Sequence, residues 1–171
     1  NYPWDAWNTN QKITADHDWW QRISWDYANS AQANSPAGYF TGESGVTNGG
    51  DWYIVNGSRQ DFLNYERNIR EVTIEWSDEK RLSVDMLNPV WDYNKEAMLN
   101  YTEQILYGFR GIITDACSGE PIIGAKVEIA SHDMDNSEVY SFAPIGNYHR
   151  LINGGTYTVT FSADGYNNKE I

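Results

Sequence analysis

The rhythm of apolar and polar positions changes once along this chain, near residue 108. Before that point the spacing is helical in two places. Trp19, Ile23 and Tyr27 recur every four residues, which predicts a helix that buries this face. Thr14 is placed to cap it, with Asp16 and Asp18 in the first turn, where carboxylates suit the dipole. A second helix is predicted behind Asn88 as cap and Pro89 at the first helical position, with Gly108 just past its end. Val90, Ala97, Met98, Tyr101 and Ile105 would form its core face. Between the helices, Ala31 to Gly50 is rich in Ser, Asn, Gly and Pro and reads as a long loop, a kind of segment that often carries function. Trp52 to Asn56 reads as an aromatic strand entering a turn at Gly57. Arg70 to Lys80 alternates, with Val72, Ile74 and Trp76 on one side and Thr73 and Glu75 on the other, which predicts a strand. A glutamate near the end of a buried strand is costly unless it is paired, hydrated or used.

From Phe109 the period falls to two. Short runs at Gly111–Thr114, Lys126–Ala130, Val139–Phe142, Tyr148–Ile152 and Tyr157–Ser162 alternate with turn signals at Ser118-Gly119, Asp135-Asn136, Gly146-Asn147 and Gly154-Gly155. Even spacing of this kind predicts an antiparallel sandwich. The expected division is therefore residues 1–107 and residues 108–171. The acidic stretch from His132 to Glu138 lacks the glycine that an EF-hand loop needs at its bend, so it reads as a solvated hairpin turn.

Composition narrows the function classes. A net charge of −12 argues against nucleic acid as partner and favours cationic peptides. Cys117 is the single cysteine, which rules out an internal disulfide and thiolate zinc sites. No apolar run is long enough to cross a membrane. Eight Trp and twelve Tyr exceed what a small core needs, so a binding module stays open on composition alone. Asn56-Gly57-Ser58 and Asn100-Tyr101-Thr102 match the glycosylation sequon. Asn56 falls in a tight turn and Asn100 in a predicted helix, so both are discounted.

Several short blocks occur together in one order. They are Asn1-Tyr2-Pro3-Trp4-Asp5, Asn48-Gly49, Tyr53 with Gly57, Gln60-Asp61, Asn64-Tyr65, Asn68, Thr73-Ile74-Glu75 and Lys80. Behind them come Gly111-x-Ile113-x-Asp115, Gly119-Glu120-Pro121-Ile122-x-Gly124-Ala125-x-Val127, Gly146-Asn147-Tyr148-x-Arg150, Gly154-Gly155-Thr156-Tyr157-x-Val159 and Gly165-Tyr166. This order resembles the zinc metallocarboxypeptidases of the subfamily that carries a transthyretin-like sandwich. The resemblance implies an α/β catalytic-domain portion, a mixed sheet with flanking helices, followed by an antiparallel β-sandwich truncated at its C-terminus.

The resemblance also assigns roles. Glu75 would be the general base and Tyr53 the tyrosine that closes over substrate. Asp5 and Gln60 would line a pocket for a basic C-terminal residue, while Asp61 and Arg67 would brace the fold. Ser58 stands where many relatives have a second glycine. The zinc ligands, a His-x-x-Glu pair and a third histidine, are expected upstream of Asn1, because none of His17, His132 and His149 begins that pattern. The chain alone is then expected to be inactive, with peptide or protein C-termini and the missing N-terminal half of the catalytic domain as its partners. A secreted or periplasmic location is expected.

Taken without the resemblance, the same residues have plainer readings. A Thr-x-Glu in a strand is usually an edge charge or part of an ion pair, a strand tyrosine fills a core, and a loop aspartate caps its loop. Two other readings stay open: a non-catalytic peptide- or glycan-binding relative of the same fold, and an aromatic carbohydrate-binding module with no use for Glu75.

Overall fold

The computed structural model describes residues 1–171. Its first part holds four helices: α1 (His17–Ala33), α2 (Gly49–Trp52), α3 (Arg59–Arg67) and α4 (Val84–Glu103). After a short 3-10 turn, Gln104–Leu106, six strands follow: β1 (Phe109–Ile112), β2 (Lys126–Ile129), β3 (Val139–Tyr140), β4 (Asn147–Arg150), β5 (Val159–Ser162) and β6 (Lys169–Glu170). Helices and extended segments thus precede an all-antiparallel second part.

Helix α1 packs along α4, and the four-residue rhythm holds. Trp19, Ile23 and Tyr27 are buried, joined by Trp20, Ala28 and Ala31. Tyr2, Trp19, Trp20 and Ile23 form one apolar cluster, with Val72, Tyr101 and Leu151 against it. Tyr27, Ala31 and Ala97 form a second, with Tyr39, Phe40 and Ile74 against it.

The helix starts differ from the sequence reading. Asp16, not Thr14, occupies the cap position of α1, and its side chain makes no capping bond. Its carboxylate is drawn instead to two arginines, described below. Helix α4 begins behind Ser83, so Pro89 lies inside it rather than at its first position. The early turn carries exposed Val84 and Leu87 and contributes little burial. Ile105 lies in the 3-10 turn and is exposed, so it leaves the face formed by Val90, Asn94 and Ala97.

Neither strand predicted in the first part forms a ladder. Trp52 ends α2, and Tyr53 is extended behind it without a strand partner. Residues 70–76 also stay outside any strand, because no neighbouring strand of this chain runs beside them. Their carbonyls accept from side chains instead: Arg70 O from Tyr101 Oη (2.7 Å), Glu71 O from Asn64 Nδ2 (2.9 Å) and Trp76 O from Tyr39 Oη (3.0 Å). Backbone acceptors must find donors wherever they are, and alternation alone cannot supply a partner strand.

The second part forms the five predicted strands, shifted by a few residues, and adds a short sixth, β6, that the sequence reading did not find. β1 pairs with β4, and the other sheet has the order β3-β2-β5-β6. Val127 faces Val139 and Phe161 in register, and Ala125, Val127, Ile129, Val139 and Ile152 are buried. Gly108 turns the chain from the helices into β1 with φ +86, and a Cβ there would lie 2.1 Å from Arg150 O. Only glycine satisfies both demands.

The seam between the two parts is ionic. Asp16, 2% exposed, accepts from Arg70 Nη2 (2.6 Å) and Arg150 Nη1 (2.8 Å), and His132 Nε2 lies 3.0 Å from its other oxygen. Arg150, fully buried, also donates to Asp133. The stretch read as a solvated hairpin is therefore a docking loop, which hands His132 and Asp133 to this network. A run of charges in sequence does not disclose that one of its partners, Asp16, lies 116 residues away.

Candidate active site

Asp5 sits on an irregular loop whose course is fixed by backbone bonds. Gly49 N donates to Tyr2 O (3.0 Å), Gly50 N to Trp4 O (2.8 Å) and Val55 N to Asp5 O (2.9 Å). Asp61 accepts from the amides of Asp5 (2.8 Å) and Ala6 (2.9 Å), which is the bracing role expected of it. Burial pushes the Asp61 pKa up, against the pull of those two amides. The loop lies so close on α2 that a Cβ at Gly50 would meet Trp7 O at 2.2 Å, and one at Gly49 would meet Asp5 Oδ1 at 1.8 Å. Gly50→Ala has only backbone to push against, so it should cost about 1–3 kcal/mol, the range for overpacking. Urea unfolding checks this; an unchanged midpoint would show that the loop yields freely.

Helix α3 brings the second polar residue. Ser58 caps it by accepting from Asp61 N (3.0 Å). Gly57, at φ +74, turns the chain into that cap. Gln60 in the first turn then points inward, 2% exposed, and donates from Nε2 to Asp5 Oδ1 at 2.9 Å. Its Oε1 has no partner. Asp5 is 7% exposed, and no lysine or arginine of the chain pairs with it. A buried carboxylate beside an unpaired carbonyl oxygen leaves two acceptors short of a donor.

Glu75 lies on a separate segment, residues 70–76. It is exposed and lines a cleft of ≈ 290 Å³ with Trp52, Glu43 and Asp78. The segment that carries Glu75 is pinned at each end. Arg70 is held by Asp16 and Tyr101. Trp76 donates from Nε1 to Tyr27 Oη (3.1 Å), and Tyr27 donates on to the buried Asn94 (3.1 Å). Burial pushes the Tyr27 pKa up to about 12, so its hydroxyl remains a donor. Tyr53 is 55% exposed, its ring edge-on to Trp52 with centroids 4.7 Å apart. Thus Asp5 and Gln60 are joined directly, Tyr53 adjoins the Glu75 cleft through Trp52, and Glu75 touches neither member of the buried pair. The sequence reading did not find Trp52 or Asn94; a buried amide in a helix leaves no signal in periodicity.

The chain was compared with known proteins. Residues 1–97 match the zinc carboxypeptidase family model, and residues 108–171 match the carboxypeptidase regulatory-like domain. The chain belongs to the zinc carboxypeptidase family. It is 37% identical to carboxypeptidase Z of Gallus gallus over 131 residues, covering 75% of this chain and 19% of that protein. It is 37% identical to carboxypeptidase D of Homo sapiens over 123 residues, covering 72% of this chain and 9% of that protein. With the carboxypeptidase N catalytic chain of Mus musculus it shares 31% identity over 186 aligned positions, covering all of this chain and 39% of that protein. The chain therefore spans well under half the length of these relatives.

The family implies zinc, and the residues present do not form a place for it. No group of three or more His, Cys, Asp or Glu side chains is placed to hold a metal ion. His132 is engaged by Asp16, His149 Nε2 lies 3.0 Å from Tyr107 O, and the His17 ring packs against Tyr2. No helix is long and apolar enough to cross a membrane.

Proposed function

We propose that this chain supplies the general base and the specificity pocket of a carboxypeptidase that removes C-terminal Lys or Arg from peptides and proteins. The observation that carries this reading is the buried Asp5 carboxylate, hydrogen-bonded to Gln60 and without a cation of its own. A C-terminal lysine or arginine side chain would supply that cation, and Gln60 Oε1 would accept a further bond from it. Glu75 faces an open cleft, from which a carboxylate takes a proton from the attacking water and returns it to the leaving amine. Tyr53, exposed beside Trp52 at the cleft edge, would hold the bound chain through its hydroxyl. Any zinc ion would have to be held by ligands that these 171 residues do not contain. The acidic excess draws cationic substrates toward the site. Work outside the cytoplasm, in a secreted or periplasmic setting, fits this reading.

Asp5→Ala in the full-length protein tests it. A buried cation left without its partner costs about 2–5 kcal/mol, so kcat/KM on C-terminal Arg and Lys should fall by at least about 30-fold. Release of C-terminal Leu should hold or rise. Equal losses on both substrates would mean that Asp5 supports its loop and does not select. A wild-type protein that releases no residue at all would favour the non-catalytic peptide binder.

A further inference from the structure

We propose that the loop between β2 and β3, residues 130–138, positions the specificity pocket, with Asp135 as the residue through which it holds the Asp5 loop. The proposal rests on the function inferred above for Asp5, but its primary readout does not.

The loop contacts the segments of Asp5 and Gln60 directly and that of Glu75 through Asp16. Asp135 pairs with Lys12 Nζ at 2.9 Å, at the end of the loop that carries Asp5. Lys12 Nζ also lies over the Trp7 ring, 4.4 Å from its centroid, and 5.5 Å from that of Trp4, so one cation ties the loop's two tryptophans to the sandwich. Asn68 at the end of α3, the helix of Gln60, donates to Glu138 O at 3.0 Å. His132 meets Asp16, which holds Arg70 at the start of the Glu75 segment.

Such bracing matters because of what these segments lack. Residues 1–12 contain no helix or strand, and residues 70–76 have no ladder. A binding group on irregular backbone is only as well placed as its supporting contacts. The helical part fixes one side of the Asp5 loop through Asp61, Gly49 and Gly50; the sandwich fixes the other through Lys12. In this arrangement the second domain is part of the substrate-selecting device.

Asp135→Asn is a gentle probe. Residue 135 has φ 54, a left-handed conformation that asparagine adopts readily, so the turn survives while the charge is lost. Hydrogen exchange of the full-length protein should show the amides of Asp5 and Ala6 exchanging roughly two- to fivefold faster, the scale of one partly exposed ion pair. Exchange in α1 and α4 should not change. Lys12→Gln should reproduce the effect, and the double variant should add nothing to it. In kinetics, KM for a C-terminal Arg substrate should rise by a similar factor at constant kcat, with KM for C-terminal Leu unmoved. Uniform acceleration across all helices would make the loop a general domain fastener and overturn the proposal, as would unchanged exchange at Asp5 and Ala6. Local acceleration in a protein without carboxypeptidase activity would leave the positioning intact and remove only the functional reading.

Discussion

Glu75→Gln in the full-length protein is expected to lower kcat by about 10²–10⁴-fold while KM stays near its wild-type value. The amide keeps the size of the carboxylate but cannot take the proton. Geometry should survive, because the segment is held by Arg70 at one end and Trp76 at the other, and Glu75 itself makes no hydrogen bond or ion pair to either. The side chain is exposed, so stability should change by less than about 0.5 kcal/mol. Single-turnover kinetics with a C-terminal Arg peptide gives the answer. A variant that keeps its kcat would remove Glu75 from the chemistry and return it to the role of a solvated edge charge.

Asp16→Asn should destabilise the folded chain by about 3–5 kcal/mol, the scale seen when one partner of a buried ionic group is removed. Arg150, fully buried, and Arg70 would face each other across an uncharged amide. Burial alone would raise the Asp16 pKa. The hydrogen bond from His132, then Arg70 and Arg150, outweigh that effect and hold the carboxyl well below the usual carboxylate range. A depressed folded pKa means that the stabilisation is fully present above the unfolded value, about 3.9. It is lost as pH falls from there toward the folded value. The gap between wild type and Asp16→Asn should therefore be widest near neutrality and close steadily below about pH 4. Urea unfolding at a series of pH values measures both effects. A gap under about 1 kcal/mol at neutral pH would mean that the seam is solvated and that its ion pairs behave as surface pairs.

The sandwich was legible in sequence because each of its strands has its partner within the chain. Period-two runs and glycine turns there locate five of its six strands to within a few residues at each end, while the two-residue edge strand β6 is too short to show a period. The first part was legible only where a helix buries one face on another, as with Trp19, Ile23 and Tyr27. Val72, Ile74 and Trp76 alternate as a strand should, yet alternation gives a direction for side chains and not a neighbour for the backbone. Of the candidate site, Asp5, Gln60, Tyr53 and Glu75 were named from the order of short blocks; that Asp5 and Gln60 touch could not be read from a separation of 55 positions. Asp16 was misplaced for a related reason. Local rules give a carboxylate at a helix start to the helix dipole, and two distant arginines offered more.

The charged seam has a consequence for how such proteins diversify. A family that strings catalytic and sandwich modules together invites the view that the modules can be traded like beads. Here each side of the joint holds half of a balanced set: Asp16 and Arg70 on one, Arg150 and Asp133 on the other. A graft that brings a foreign sandwich without an arginine at position 150 would bury an acid with one counter-ion fewer. A chimera that exchanges one module of this chain should therefore keep its stability only when the whole quartet travels together.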